Sequence, residues 1–129
     1  MINDRVEDSS KLLDSGQWMV QDQNQYGINA LLVAGIAANE SSWGMSNISQ
    51  TKNNLLGIAA ADSNPGELSY EFESPEACIR EYTQNFLSQQ YINPGNWKYS
   101  GGFLGNKASG LNVRYASDPY WGEKAAALV

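Results

Sequence analysis

The stretch NALLVAGIAANESSWGMS, residues 29–46, decides how this chain is built. Its apolar part falls short of the roughly 20 residues of a membrane span and suits a helix in a protein interior. Asn29 is an N-cap type, so a helix is expected from Ala30 to about Trp43. Gly35 inside it costs up to about 1 kcal/mol relative to alanine, which implies close packing there. Leu32, Ile36, Glu40 and Trp43 recur at helical spacing, so the apolar stripe runs onto an acid. Partial desolvation and the negative end of the helix dipole both disfavour the Glu40 carboxylate and raise its pKa. A glutamate protonated near neutral pH can serve as a general acid. The ordinary alternative is a boundary glutamate that simply reaches water.

The rest of the chain narrows the chemistry. At 129 residues it is one domain's length, read as a single domain 1–129, and can bury a sizeable core. It is 42% hydrophobic and 11% aromatic, which is a globular composition. The net charge is -6 and the eight Lys and Arg stand singly, so a nucleic-acid backbone or an anionic membrane finds no basic patch. Cys78 is the only cysteine and histidine is absent, which removes Ser-His-Asp and Cys-His catalysis, Cys-rich zinc sites and an intrachain disulfide. No metal or organic cofactor is implied. Carboxylates, hydroxyls, amides and aromatics remain, and carboxylate pairs are the tools of glycoside hydrolysis. No apolar run suggests membrane insertion, and MINDRVEDSSK is too polar for a signal peptide.

Working outward, helical spacing is expected from about Asp4 to Tyr26, with Gly16 a possible break and Gly27 the end. Residues 46–54 have loop chemistry. SNPG, residues 63–66, is a turn signal, and after it Leu68, Tyr70 and Phe72 alternate with Glu67, Ser69, Glu71 and Glu73. That pattern predicts a short hairpin or small β-lobe. Ser74-Pro75-Glu76 opens a helix to about Tyr91, with Ile79, Tyr82, Phe86 and Leu87 on its apolar stripe. A Gly- and Asn-rich loop leads to a short helix over about 108–116, and Asp118-Pro119 caps a last helix to Ala127. The fold class expected is α+β, mostly α-helical.

AANESSWGMSNIS, NNLLGIAA, FESPEACIREY and VRYASDPYWGEKAA, in that order, resemble the bacterial glucosaminidase family. These are endo-β-N-acetylglucosaminidases of glycoside hydrolase family 73, which cleave peptidoglycan. The resemblance runs from about Leu13 to Ala127. It implies a lysozyme-like fold, with a helical lobe and a small β-lobe flanking a substrate groove. It places the general acid on Glu40, its supporting turn on Trp43 and Gly44, the cleft floor on Asn54 and Gly57, and the tyrosine near the site on Tyr115. Tyr120 and Trp121 could stack on a sugar or belong to the core. The second carboxylate has three candidates, Glu71, Glu67 and Asp62, with Glu71 favoured by its place opposite the packed face. Asp62 also suits a turn beside the substrate. The partner implied is the peptidoglycan glycan strand, met outside the cell or in the wall by a monomeric domain.

Overall fold

The computed structural model describes residues 2–56 and 71–128. A 3-10 turn, Ile2–Asp4, precedes α1 (Ser15–Tyr26), α2 (Ala30–Ser41) and α3 (Asn47–Lys52). Then follow α4 (Pro75–Glu81), a π-helix (Tyr82–Tyr91) that continues it, α5 (Asn112–Tyr115) and α6 (Trp121–Ala127). Among the described residues there is no strand and the architecture is mostly helical. The expected hairpin, with Gly57, Asp62, Glu67, Leu68 and Tyr70, falls on residues outside the described ones. The end of that stretch is described. Phe72 is half-buried against the core, while Glu71 and Glu73 are exposed, which keeps the expected alternation. The Phe72 amide donates to the Lys52 carbonyl at 2.8 Å, and Asn53 Nδ2 donates to the Phe72 carbonyl at 3.0 Å.

α2 is the central helix. Asn29 Oδ1 accepts from the Leu31 amide at 2.8 Å, and Gln23 Oε1 of α1 accepts from the Ala30 amide at 2.8 Å. The orphan donors of the first turn are thus satisfied in part by the cap and in part by the neighbouring helix. Leu32 through Ala38 are buried without interruption, so the middle of α2 is enclosed on all sides and carries no single stripe. α1 packs against α2, and so does α6. Met19, Ile79, Tyr82, Leu87, Leu111, Trp121 and Ala125 close the core around them.

Several boundaries differ from the sequence expectation for local reasons. Helical spacing before Ser15 resolves into turns, and Asp14 at φ 64° marks the entry to α1. Gly16 lies within the first turn of α1 and does not break it. Residues 47–52 form α3 and not a loop, because Ser46 caps it by accepting from the Ser49 amide at 3.3 Å. Ser74 caps α4 as expected, accepting from the Ala77 amide at 3.1 Å. The α-ladder ends at Glu81, where Thr83 Oγ1 donates to the Ile79 carbonyl at 2.8 Å. That carbonyl is the α-helical acceptor for Thr83's own N–H, so the hydroxyl competes with the backbone there. The wider i→i+5 ladder that follows keeps Tyr82, Leu87 and Tyr91 all buried. The short helix expected over 108–116 contracts to α5, and the last helix begins at Trp121.

Candidate active site

α2 ends in the sequence Ser41-Ser42-Trp43-Gly44. Ser42, Trp43 and Gly44 have φ of 52°, 57° and 80°, three consecutive left-handed residues. Two of them carry side chains, a conformation held only where surrounding bonds over-determine it. Those bonds are present. Ser10 Oγ donates to the Trp43 carbonyl at 2.6 Å, Gln50 Nε2 donates to the Gly44 carbonyl at 2.8 Å, and Ser41 Oγ accepts from the Gly44 amide at 2.8 Å. The Lys11 amide reaches the Gly44 carbonyl at 3.2 Å. The helix therefore stops abruptly one residue after Glu40 and leaves that side chain at a water-facing edge.

Glu40 is exposed, in contrast to the buried stripe position expected for it. Protein crowded around its carboxyl head still desolvates it, and this pushes its pKa above the ordinary carboxylate value. A hydrogen bond from Trp121 Nε1 to Glu40 Oε1, 3.0 Å long, pulls the other way. Indole N–H only donates, so Oε1 is an acceptor here and the acidic proton belongs on Oε2.

Trp121 is held from both flanks. Asn112, fully buried, accepts from the Gly122 amide through Oδ1 at 2.8 Å and donates through Nδ2 to the Asp118 carbonyl at 2.9 Å. A Cβ at Gly122 would collide with the Gly105 carbonyl, so only glycine lets α6 lie this close to the 104–105 backbone. Asp118 Oδ1 accepts from the Tyr120 amide at 2.9 Å, which fixes the entry to α6.

Behind Glu40 and Trp121 stands an aromatic cluster. Tyr115 stacks on Trp121 with centroids 4.5 Å apart, and it meets Tyr91 at 5.1 Å and Phe86 at 5.9 Å. Tyr82 Oη donates to Tyr115 Oη at 2.6 Å. Burial drives the pKa of Tyr115 and Tyr82 far up, and the Glu40 charge adds to it, so both stay phenols.

The structure thus brings together two of the expected site features, Glu40 and Tyr115. Trp43 is half-buried with the Arg5 guanidinium over its ring at 5.6 Å, a structural post beside the acid's turn. Asn54 is 2% exposed and its Oδ1 accepts from the Leu56 amide at 3.3 Å, so it shapes its loop from beneath. Tyr120 is 60% exposed, and Glu71 is exposed. Gly57 and Asp62 lie outside the described residues. Sequence reasoning missed Trp121 as the partner of Glu40 and Tyr82 as the partner of Tyr115. The spacing of Trp121 and Ala125, one helical turn apart, marked a buried face and was the available signal. Among the described residues no three His, Cys, Asp or Glu gather as metal ligands.

A profile of the glucosaminidase family, described as mannosyl-glycoprotein endo-beta-N-acetylglucosaminidase, matches residues 16–129. Two relatives from two strains of Streptococcus pneumoniae, provisionally named endo-beta-N-acetylglucosaminidases, are each 41% identical over 121 residues. Those matches take 94% of this chain but only 18% and 16% of the relatives, so the chain spans less than a fifth of their length. Staphylococcus aureus Autolysin E, solved with the muropeptide NAM-L-Ala-D-iGlu, superposes with a TM-score of 0.68 at 24% identity over 98% of this chain and 62% of that one. A catalytic mutant of Autolysin E with the disaccharide NAG-NAM gives 0.67 at 23%, with the same coverage. A glycoside hydrolase domain from Salmonella typhimurium FlgJ gives 0.61 at 20%, over 94% and 95%. At these identities the solved structures establish a shared fold. The family match over nearly the whole chain establishes more: the chain belongs to the glucosaminidase family.

Proposed function

We propose that this domain hydrolyses the peptidoglycan glycan strand on the reducing side of N-acetylglucosamine, with Glu40 as general acid. The observation that carries this reading is the Glu40 carboxyl, accessible yet raised in pKa, with one oxygen pinned by Trp121 Nε1 at 3.0 Å. Glu40 Oε2 gives its proton to the glycosidic oxygen as that bond breaks. Tyr115, a phenol oriented by Tyr82, places its oxygen dipole toward the positive charge that develops at the anomeric carbon. The relatives' names and the sugars bound by the Autolysin E structures support this substrate class.

The second side of the groove is assigned to a small lobe over about 57–74, with Gly57 and Asn54 at its floor, Asp62 at its turn, and Trp43 and Tyr120 along the sugar path. Glu71 is the proposed second carboxylate, positioning a water or stabilising the oxocarbenium-like transition state. The domain works as a monomer outside the cell or in the wall.

The test is product analysis on purified peptidoglycan. New reducing ends on N-acetylglucosamine are expected, and reducing or anhydro-muramic ends refute the bond assignment. Glu40→Gln, whose amide has no acidic proton, should lower turnover at least about a hundredfold with the thermal melt preserved. Near-normal turnover would refute Glu40 as the acid. Glu71→Gln is expected to lose activity with folding intact; full activity assigns the second role elsewhere.

A further inference from the structure

Trp97 is the most exposed large hydrophobic side chain described, at 70%, on the loop between the π-helix and α5. Tyr99 and Phe103 of the same loop are exposed as well, so Trp97 leads an aromatic surface and is not a lone exposed ring. Two cations bracket the indole. The Arg114 guanidinium lies 5.4 Å from the ring centroid and Lys98 Nζ lies 5.6 Å from it, both in cation–π range. The chain has eight Lys and Arg and a net charge of -6, so two of its few cations converging on one ring make a local positive site on an acidic molecule. Lys98 is itself fixed, donating to Gln90 Oε1 at 2.6 Å and lying 5.3 Å from the Tyr91 ring. Tyr91 in turn meets Tyr115 at 5.1 Å. Arg114 immediately precedes Tyr115 on α5. The positive site is thus continuous with the aromatic cluster behind Glu40.

We propose that Trp97, Lys98 and Arg114 form an outer subsite for the acidic peptide branch of the glycan strand, a reading that rests on the peptidoglycan hydrolase assignment above. A free carboxylate of the branch pairs with the exposed Arg114 guanidinium beside the indole, and the Lys98 ammonium adds positive potential there. Guanidinium can meet it with two parallel N–H bonds. The indole face covers the apolar part of the branch. An acidic enzyme approaching an acidic polymer requires such a local cationic contact to orient it, and Trp97 is where the described surface offers one.

The experiment compares soluble glycan oligosaccharides that keep their peptide branches with the same oligosaccharides stripped of them by an amidase. The quantity read is the ratio of kcat/KM on branched to stripped substrate. In Trp97→Ala and, separately, Arg114→Gln, that ratio should fall about tenfold, through KM, as expected for a lost charge-assisted contact. Arg114→Gln leaves the indole in place, so a folding defect in the first variant does not decide the matter. An unchanged ratio in both variants overturns the subsite, whatever happens to overall activity. A wild-type protein that cuts neither substrate overturns the hydrolase assignment and the subsite with it.

Discussion

At the scale of single residues, burial and the Trp121 bond act in opposite directions on the titration of Glu40. Desolvation raises the Glu40 pKa and the indole N–H restrains that rise. In the proposed role Glu40 acts in its protonated form, so kcat/KM is expected to fall as pH climbs through its pKa. Trp121→Phe keeps an aromatic ring against Tyr115 but removes the donor that favours the carboxylate. The pKa should climb further and the falling limb of the pH profile should move to higher pH, while kcat drops roughly tenfold because Oε1 loses its anchor. A limb that stays in place in a pH–rate profile would show that the indole does not tune the acid. Helical spacing drew attention to Glu40 for a burial it does not have, since α2 carries no single stripe and Glu40 is exposed, so the motif resemblance and not the repeat singled it out. Trp121 as its partner was not legible, because the Trp121–Ala125 spacing marks a buried face without saying which side chain, 81 residues away, it meets. Neighbouring Tyr120 looks equally suited by composition, and only burial separates the two.

Among the elements, the turn after α2 carries the most constraint. Gly44 at φ 80° sits where an added Cβ would collide with Ser10 Oγ and come within 2.8 and 2.9 Å of the Leu12 and Lys11 amides. Gly44→Ala therefore suffers both left-handed strain and overpacking against backbone, together about 2–4 kcal/mol. Its Tm should drop by roughly 5–15 °C, and an unchanged calorimetric melt would contradict the turn's rigidity. Helix starts were readable because capping chemistry is local: Asn29 and Ser74 both cap as their side chains suggest. α3 was hidden because Ser, Asn, Gln and Thr are loop formers unless a cap such as Ser46 organises them. The π-helix was hidden for a different reason. Tyr82, Phe86 and Leu87 fit an α-helical stripe just as well, and the Thr83 hydroxyl on the Ile79 carbonyl, where the ladder widens, leaves no mark in that spacing.

For the whole molecule, stability should depend on pH through an acid that the reaction does not use. Asp22 of α1 is 7% exposed, and its Oδ2 has no hydrogen-bond partner among the described residues. Burial raises its pKa, Arg80 lowers it and Glu76 raises it again. A folded-state pKa above the unfolded value means the native state holds its proton to a higher pH. The stability this contributes is complete below the ordinary aspartate pKa of about 3.9 and is lost as pH rises through the raised value. Asp22→Asn should accordingly raise Tm at pH 7, with the gain vanishing toward pH 3; a gain confined to acid would reverse the sign and refute the account.

The hydrogen bond between Glu40 and Trp121 also has a meaning in time. Glu40 leaves the ribosome 81 residues ahead of its partner. At about 5–20 residues per second, that interval is roughly 4–16 s. Throughout it the acid lacks the Trp121 indole, and for most of it the ring of Tyr115 as well. Arg5, at the other extreme, waits still longer for the Leu128 carbonyl to which it donates. Synthesis itself thus delays the arrival of a working site. Ribosome-bound chains halted before Trp121 should leave soluble glycan uncut, and turnover by such chains would refute this. The acid and the indole that anchors it come together only once residue 121 has been made.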